Sequence, residues 1–373
     1  MVSNLLPPAG ARVLVAMSGG VDSAAAAVLL KERGCDCVGV TLRLVPEPEG
    51  KPVFEPCCGL EAANDARRVC ERLGIPHEVL HTVDRFDREI ITPFVDEYRA
   101  GRTPNPCVQC NRKIKFGALY ERADALGCTH VAMGHYARLV PFGERLALRR
   151  GAHRPKDQSY VLAPLTQEQL RRACFPLGEL DKDRSREIAR AVDARSGKKA
   201  ESQEICFVAD KDYAGFVERR TAPSLPGPIC DPSGRVLGTH RGLVHYTIGQ
   251  RHGLGIGAAR PLYVAGMDTA GNRLIVAHEE GTYCGGFDTG PLQWGGMVPQ
   301  EAPFACLAQL RSRHNPGPAG VTPGPEGASV RLVQPQRAVT PGQWAVFYDD
   351  ADHVLASAMI TRAHPAGDAA AAL

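Results

Sequence analysis

Residues 12–17, Arg-Val-Leu-Val-Ala-Met, form a short apolar run that passes straight into Ser18-Gly19-Gly20-Val21-Asp22-Ser23. The Ala/Leu-rich stretch 22–33 follows and stops at Gly34. A buried strand, a glycine turn and a helix in that order leave few folds open. The glycines let the backbone approach a ligand with no Cβ in the way, and the helix N-terminus adds partial positive charge. Such a turn at the carboxyl end of a strand is where a doubly wound fold holds phosphate. Ser18 and Ser23 can donate hydroxyls, and Asp22 can cap the helix or hold a magnesium ion that bridges phosphates. No Lys-Ser/Thr pair follows the loop and the dinucleotide spacing is missing, so neither of those fingerprints applies.

The strand–helix pattern repeats. Residues 37–42 read as a strand, 60–73 as a helix, 77–81 as a strand, 86–99 and 114–126 as helices, and 129–133 as a strand. Alternation of this kind predicts a parallel sheet covered on both faces. After about residue 205 glycine and proline become frequent and helical periodicity fades. Strands are expected at 236–238, 243–248, 262–267, 273–277, 304–311, 329–333, 344–348 and 354–360, with a barrel as the end module. Residues 314–328 read as a Pro/Gly-rich flexible loop. The predicted architecture is a doubly wound α/β domain (1–208), a small central domain (209–281), a C-terminal β-barrel (282–364) and a disordered tail (365–373).

A chain of 373 residues needs two or three cores. With 44% hydrophobic and 23% charged residues it has the profile of a soluble protein. No run approaches a membrane span, and the first residues lack a secretory pattern, so a cytoplasmic location is expected. A net charge of +3 decides nothing about nucleic acid. The local runs Arg149, Arg150, Arg154, Lys156 and Arg311, Arg313 read equally well as solvated surface. The thirteen cysteines show no secreted disulfide framework.

Residues 103–116 read Thr-Pro-Asn-Pro-Cys-Val-Gln-Cys-Asn-Arg-Lys-Ile-Lys-Phe. Asn105-Pro106 marks a turn, and Cys107 and Cys110 stand three apart near the start of a helix. Arg112, Lys113 and Lys115 flank them, an environment that favours the thiolate. A structural zinc site would need a second Cys-x-x-Cys, which the chain lacks. Cys206 lies in Glu-Ser-Gln-Glu-Ile-Cys-Phe (201–207), by itself an apolar context that suits a buried thiol.

The loop SGGVDS resembles the PP-loop of ATP pyrophosphatases, enzymes that adenylate a carbonyl oxygen and are shared between nitrogen and sulfur delivery. SGGVDS, TPNPCVQCN and ESQEICF together resemble the tRNA-specific 2-thiouridylases. MGHYAR (133–138), KDQSYVL (156–162), HYTIGQRHGLGI (245–256) and PGQWAVFY (341–348) agree, so the resemblance spans roughly residues 12–362. It implies that Ala16, Met17, Ser18, Gly19, Gly20, Val21, Asp22 and Ser23 bind ATP, with Leu42 and Gly134 near the adenine and ribose. It implies Cys110 as nucleophile and Cys206 as the persulfide carrier. Asn105, Pro106 and Cys107 would meet the target base, and His135, Lys156, Asp157, Gln158, Arg311, Ser312 and Gln343 would contact tRNA. Two positions depart from the family pattern: some members carry Asp at position 107, and the residue after Arg311 is often aromatic where this chain has Ser312.

On this resemblance the expected reaction transfers AMP from ATP, with Mg²⁺, to the 2-carbonyl oxygen of the wobble uridine. Persulfide sulfur from a donor protein, carried on Cys206, then displaces AMP and leaves a Cys110–Cys206 disulfide. Two alternatives stay open. Cys107, Cys110 and Cys206 supply three thiolates, the number that would hold a four-iron cluster with one open iron. An amide-forming PP-loop ligase is the other, against which the three thiols argue.

Overall fold

The computed structural model describes residues 4–46, 59–195, 205–208 and 210–366. β1 (Arg12–Ala16) leads into α1 (Val21–Glu32), β2 (Asp36–Arg43), α2 (Leu60–Leu73) and β3 (His77–His81). A helical run follows as α3 (Val83–Phe86), a π-helical segment Asp87–Ile91 and α4 (Thr92–Arg99). Next come α5 (Pro106–Gln109), a second π-helical segment Cys110–Ala118 and α6 (Leu119–Ala125). β4 (His130–Ala132), the hairpin of β5 (Ala137–Phe142) and β6 (Arg145–Arg150), α7 (Ser159–Leu162), α8 (Gln167–Arg172), β7 (Ala173–Cys174), α9 (Lys182–Val192) and α10 (Tyr213–Glu218) complete the first part.

The five-stranded sheet has the order β3-β2-β1-β4-β7, and its pairs are all parallel. The chain winds outward from β1 to β3, then returns to place β4 on the other side of β1. That reversal opens a crevice at the carboxyl ends of β1 and β4. Both faces of β1 are covered. Val13 and Val15 pack with Val21, Ala24 and Ala27 of α1 and Val69 of α2, while Leu14 shares the opposite core with Phe86, Phe94 and Leu119. This is why residues 13–15 read as one apolar run. Gly34 sits at φ +82° and closes α1 with bonds from its own N–H to Lys31 O and from Cys35 N–H to Leu30 O, the Schellman pattern that its position predicts.

The second part is a four-stranded sheet of β8 (Gly227–Cys230), β9 (Val236–His240), β10 (Tyr263–Asp268) and β11 (Arg273–Ala277), in the order β10-β11-β8-β9. The third comprises β12 (Tyr283–Thr289), β13 (Gln293–Trp294), β14 (Phe304–Gln309), β15 (Gly317–Gly324), β16 (Gly327–Arg337), β17 (Trp344–Tyr348) and β18 (Val354–Pro365). Its order β12-β16-β15-β14-β17-β18 returns to β12 through antiparallel β12–β18 pairing, closing a six-stranded barrel. The doubly wound domain, the small middle module and the terminal barrel are as expected.

Several local expectations are corrected. The segment 314–328 is not one loop: β15 pairs with both β14 and β16, because Ala319 and Val321 alternate inward between exposed neighbours. Residues 243–248 are not a strand. Leu243–His245 form a 3₁₀ turn that buries the consecutive Leu243 and Val244. The helix expected at 86–99 carries a π-helical segment, and the one expected at 114–126 begins at Pro106. Pro365 still pairs with Cys284, so the ordered chain enters the expected tail; residues 367–373 lie outside the described residues.

The barrel shares a core with the first part: Trp344, Val346 and Tyr348 pack in one cluster with Leu148 and Tyr160. The Tyr160 hydroxyl donates to Trp344 O at 2.8 Å, and the Ser159 and Tyr348 hydroxyls lie 3.0 Å apart. The basic run contributes to this seam. Arg150 stacks over the Tyr348 ring at 4.1 Å and donates to Gln309 Oε1 at 2.6 Å. Arg149 donates to Ala351 O at 2.9 Å, and Arg154 pairs with Asp352. Three of those four residues therefore serve as interdomain contacts, a use that neither reading of the run anticipated.

Candidate active site at the glycine loop

The turn between β1 and α1 depends on its glycines. Gly19 adopts φ +67°, and a Cβ there would lie 2.2 Å from Ala62 O at the start of α2. Only glycine allows both the conformation and the approach. Ser18 and Ser23 hold the turn from within. The Ser23 hydroxyl donates to Gly20 O at 3.1 Å and accepts from the Ser18 backbone N–H and hydroxyl, each at 3.2 Å. Gly134, just past β4, approaches the loop from the other side, where an added Cβ would come within 2.6 Å of the Asp22 backbone carbon.

Asp22 does not cap the helix. The N-cap of α1 is Gly20, with no side-chain cap. The Asp22 carboxylate instead accepts Lys182 Nζ at 2.7 and 2.9 Å and the Tyr136 hydroxyl at 2.7 Å. Lys182 stands in the first turn of α9 and is buried. Among the described residues no three His, Cys, Asp or Glu side chains converge on a point that could hold a metal.

The crevice at the switch point is an open-mouthed cleft with a cavity volume of about 170 Å³. Ala16, Met17, Ser18, Asp22, Ser23, Leu42 and Gly134 line it, as do His135 and Gln158. Gly19, Gly20 and Val21 shape the turn behind it. The sequence reading missed Val40, Leu44, Lys115, Leu119 and Met133, which also line the cleft. His135 Nδ1 is buried with no hydrogen-bond partner, and its ring meets Phe175 edge-on at 6.3 Å. Desolvation, and secondarily the Lys115 charge, push its pKa well below the ordinary histidine value, so the ring is neutral. Gln158 Oε1 accepts the Tyr136 N–H at 3.0 Å. Asp157 accepts from Gly151 N, Ser159 N and the Ser159 hydroxyl. Those two members of the Lys156-Asp157-Gln158 turn thus brace the backbone beside the cleft.

Pro106 opens α5 with Asn105 at its N-cap position, which satisfies no backbone donor through its side chain. Cys107 is exposed, and Cys110, one turn on, is 7% exposed at the head of the π-helical segment. Such segments frequently mark functional sites. Cys206 is half-buried and packs against the cluster that contains Cys110. Its neighbour Phe207 is wedged among Phe86, Phe94 and Phe216 at ring distances of 5.7, 5.2 and 5.3 Å. Residues 201–204 of the ESQEICF motif lie outside the described residues. No disulfide joins the described cysteines. Among the described residues, Cys107, Cys110 and Cys206 do not converge as a metal-holding group.

The expected C-terminal contacts are partly committed within the protein. Gln343 Nε2 donates to Thr103 O at 2.7 Å, and Thr103 N–H donates to Pro341 O at 3.0 Å. Gly342, at φ +92°, is the close-approach point: a Cβ would sit 3.0 Å from the Thr103 carbonyl carbon. The barrel thus grips the turn that precedes α5. Arg311 donates to Ala338 O and the Thr340 hydroxyl, and desolvation with the nearby Arg337 lowers its pKa. Ser312 is exposed.

A glycine loop at the switch point of a parallel sheet, followed by two β-modules, defines a nucleotide-site protein of the HUP type. Family models agree: residues 11–210 match a tRNA methyl transferase HUP domain, 214–278 a tRNA methyl transferase PRC-barrel domain and 285–360 an aminomethyltransferase beta-barrel domain. The chain is 45% identical over 94% of its length to tRNA-specific 2-thiouridylase MnmA 1 of Syntrophus aciditrophicus, covering 93% of that protein. It is 48% identical over 91% of its length to the tRNA-specific 2-thiouridylase MnmA of Chloroflexus aggregans, covering 95%, and 45% identical over 95% to that of Geobacter metallireducens, covering 98%. The chain belongs to the tRNA-specific 2-thiouridylase family.

Proposed function

We propose that the chain is an ATP-dependent tRNA-uridine 2-sulfurtransferase acting on the wobble uridine. One observation carries this reading. Leu42, Leu44, Leu119 and Met133, which line the cleft, belong to the same large packed core as Cys110, and Cys206 packs against that core. The reading needs Cys110 and Cys206, distant in sequence, to act together beside that cleft. A methyl transfer or an amide-forming ligation has no use for that pair.

ATP enters as its magnesium complex, with Ala16, Met17, Leu42 and Gly134 about the nucleoside and the 18–23 turn about the phosphates. Loop N–H groups and the α1 N-terminus stabilise the departing pyrophosphate. The uridine O2 attacks the α-phosphorus, which makes AMP the leaving group at C2. The outer sulfur of a persulfide on Cys206, supplied by a donor protein, reaches C2 by one of two routes. It arrives as sulfide freed when Cys110 attacks the Cys206 sulfur, or it attacks C2 directly, after which Cys110 attacks Cys206 Sγ and breaks the S–S bond to leave the outer sulfur on C2. AMP departs and the two cysteines end as a disulfide. A flipped base in a single-stranded loop costs a few kcal/mol to present. In this reading Asn105, Pro106, Cys107, His135 and the 156–158 turn meet it, with Arg311, Ser312 and Gln343 holding tRNA farther out. Units at 1–208, 209–281 and 282–364 and a cytoplasmic location complete the proposal.

The test is nucleoside mass analysis of tRNA incubated with ATP and a persulfide source. Cys110→Ser and Cys206→Ser are each expected to abolish 2-thiouridine while ATP still binds. Full thiolation by either variant would overturn the relay.

A further inference from the structure

The mechanism above leaves Cys107 without a chemical role, although it stands one helical turn from Cys110. We infer that Cys107 is a resolving thiol: it takes over the disulfide left by each turnover and carries it to the surface. The inference rests on the relay reading of Cys110 and Cys206 and extends it.

The backbone is helical from Pro106 through Cys110. Helix geometry alone sets Cα atoms three residues apart at about 5 Å, inside the roughly 4.4–6.8 Å that a disulfide spans. The two thiols differ in access. Cys107 is exposed, whereas Cys110 is 7% exposed and packs in the core. Cys206 is half-buried, with Phe207 beside it locked among three aromatic rings. A Cys110–Cys206 disulfide would therefore sit where a bulky reductant has poor access. A Cys107–Cys110 disulfide would present one sulfur at the surface.

The exchange balances without any outside oxidant. The Cys107 thiolate attacks Cys110 Sγ, the Cys110–Cys206 bond breaks, and Cys206 leaves as a thiolate that takes up the proton Cys107 gave up. Cys206 can then accept a new persulfide sulfur. A dithiol reductant, either a small dithiol or a thioredoxin-class protein, next attacks Cys107 Sγ. Its second thiol resolves the mixed disulfide, which returns two thiols to the protein and oxidises the reductant to its own disulfide.

Full-length protein, loaded with persulfide by inorganic polysulfide, is given unmodified tRNA and ATP without reductant. It is quenched with N-ethylmaleimide and its peptides are weighed. The expected product is a Cys107–Cys110 link with an alkylated Cys206, replaced in Cys107→Ser by a Cys110–Cys206 crosslink. With dithiothreitol present, Cys107→Ser should lose about tenfold more steady-state rate than first-turnover rate. A wild-type protein that holds only the Cys110–Cys206 crosslink, or a variant whose two rates fall by the same factor, overturns the resolving role. If 2-thiouridine forms while no cysteine link of any kind accumulates, the relay itself has failed and takes this inference with it.

Discussion

Lys182 and Asp22, 160 residues apart, meet through two contacts of 2.7 and 2.9 Å at the base of the glycine loop. The lysine side chain is 7% exposed and the aspartate 32%. Removing the lysine strands a carboxylate in partial burial. Lys182→Met should cost about 2 kcal/mol of stability, below the roughly 3–5 kcal/mol of a fully buried pair because Asp22 keeps some solvent. It should also weaken ATP binding about tenfold, since the turn loses its anchor. Calorimetric titration and thermal unfolding check both effects. Adding Asp22→Asn should recover part of the stability, and strict additivity of the two substitutions would refute the coupling.

Gly19→Ala forces a Cβ against the backbone of α2 from a left-handed conformation. The expected outcome is loss of measurable ATP binding, with about 1–3 kcal/mol of strain and displacement. tRNA binding, which uses other surfaces in the proposed reading, should survive in a filter or gel-shift assay. Wild-type ATP affinity in this variant would show that the loop does not hold phosphate.

The grip of Gln343 on Thr103 predicts a dynamic effect. Gln343→Ala removes one hydrogen bond, worth about 1 kcal/mol, and loosens the turn ahead of α5. Hydrogen exchange at the Thr103 amide, which donates to Pro341 O, should quicken about fivefold with no tRNA present. A residue that acted only through tRNA would leave that exchange rate untouched.

Acid sensitivity follows from His135. Its folded-state pKa lies below the ordinary value of 6.5, so the unfolded chain binds more protons between the two values. Stability therefore falls as pH drops through and below about 6.5, by at most about 1.4 kcal/mol per pH unit for one group. His135→Asn should flatten the decline in melting temperature between pH 7 and pH 5. His77, His130 and His314, whose pKa values burial also lowers, should keep a residual slope. An unchanged profile in the variant would show that His135 is not the group responsible.

What could be read from residues alone was what is local. The SGGVDS turn announces itself because strand, glycines and helix are contiguous, and Gly34 marks a helix end through its own backbone freedom. Cys110 stood out by its Cys-x-x-Cys spacing and basic neighbours, but Cys206 and its pairing with Cys110 came only through a family resemblance, since nothing in the spacing brings the two together. Lys182 went unnoticed because its partner is 160 residues away and an isolated lysine at a helix start reads as surface. Arg150 read equally well as solvated surface or as part of a nucleic-acid patch, yet its charge lies over a tyrosine ring in the barrel, a contact visible only after β5–β6 docks. The strand Gly317–Gly324 was hidden by Pro318 and Pro323, whose composition signals a loop although Ala319 and Val321 face a core.

The seam between the first part and the barrel has a consequence for how this chain can be cut. Tyr160, Trp344 and Tyr348 are each at most 5% exposed because they cover one another. Severing the chain ahead of residue 282 would bare that aromatic layer and leave Thr103 without its clasp. The nucleotide domain is therefore not an autonomous enzyme with an optional appendage. Its cysteine turn is held from outside by the last quarter of the polypeptide, so the two ends can be redesigned only as one piece.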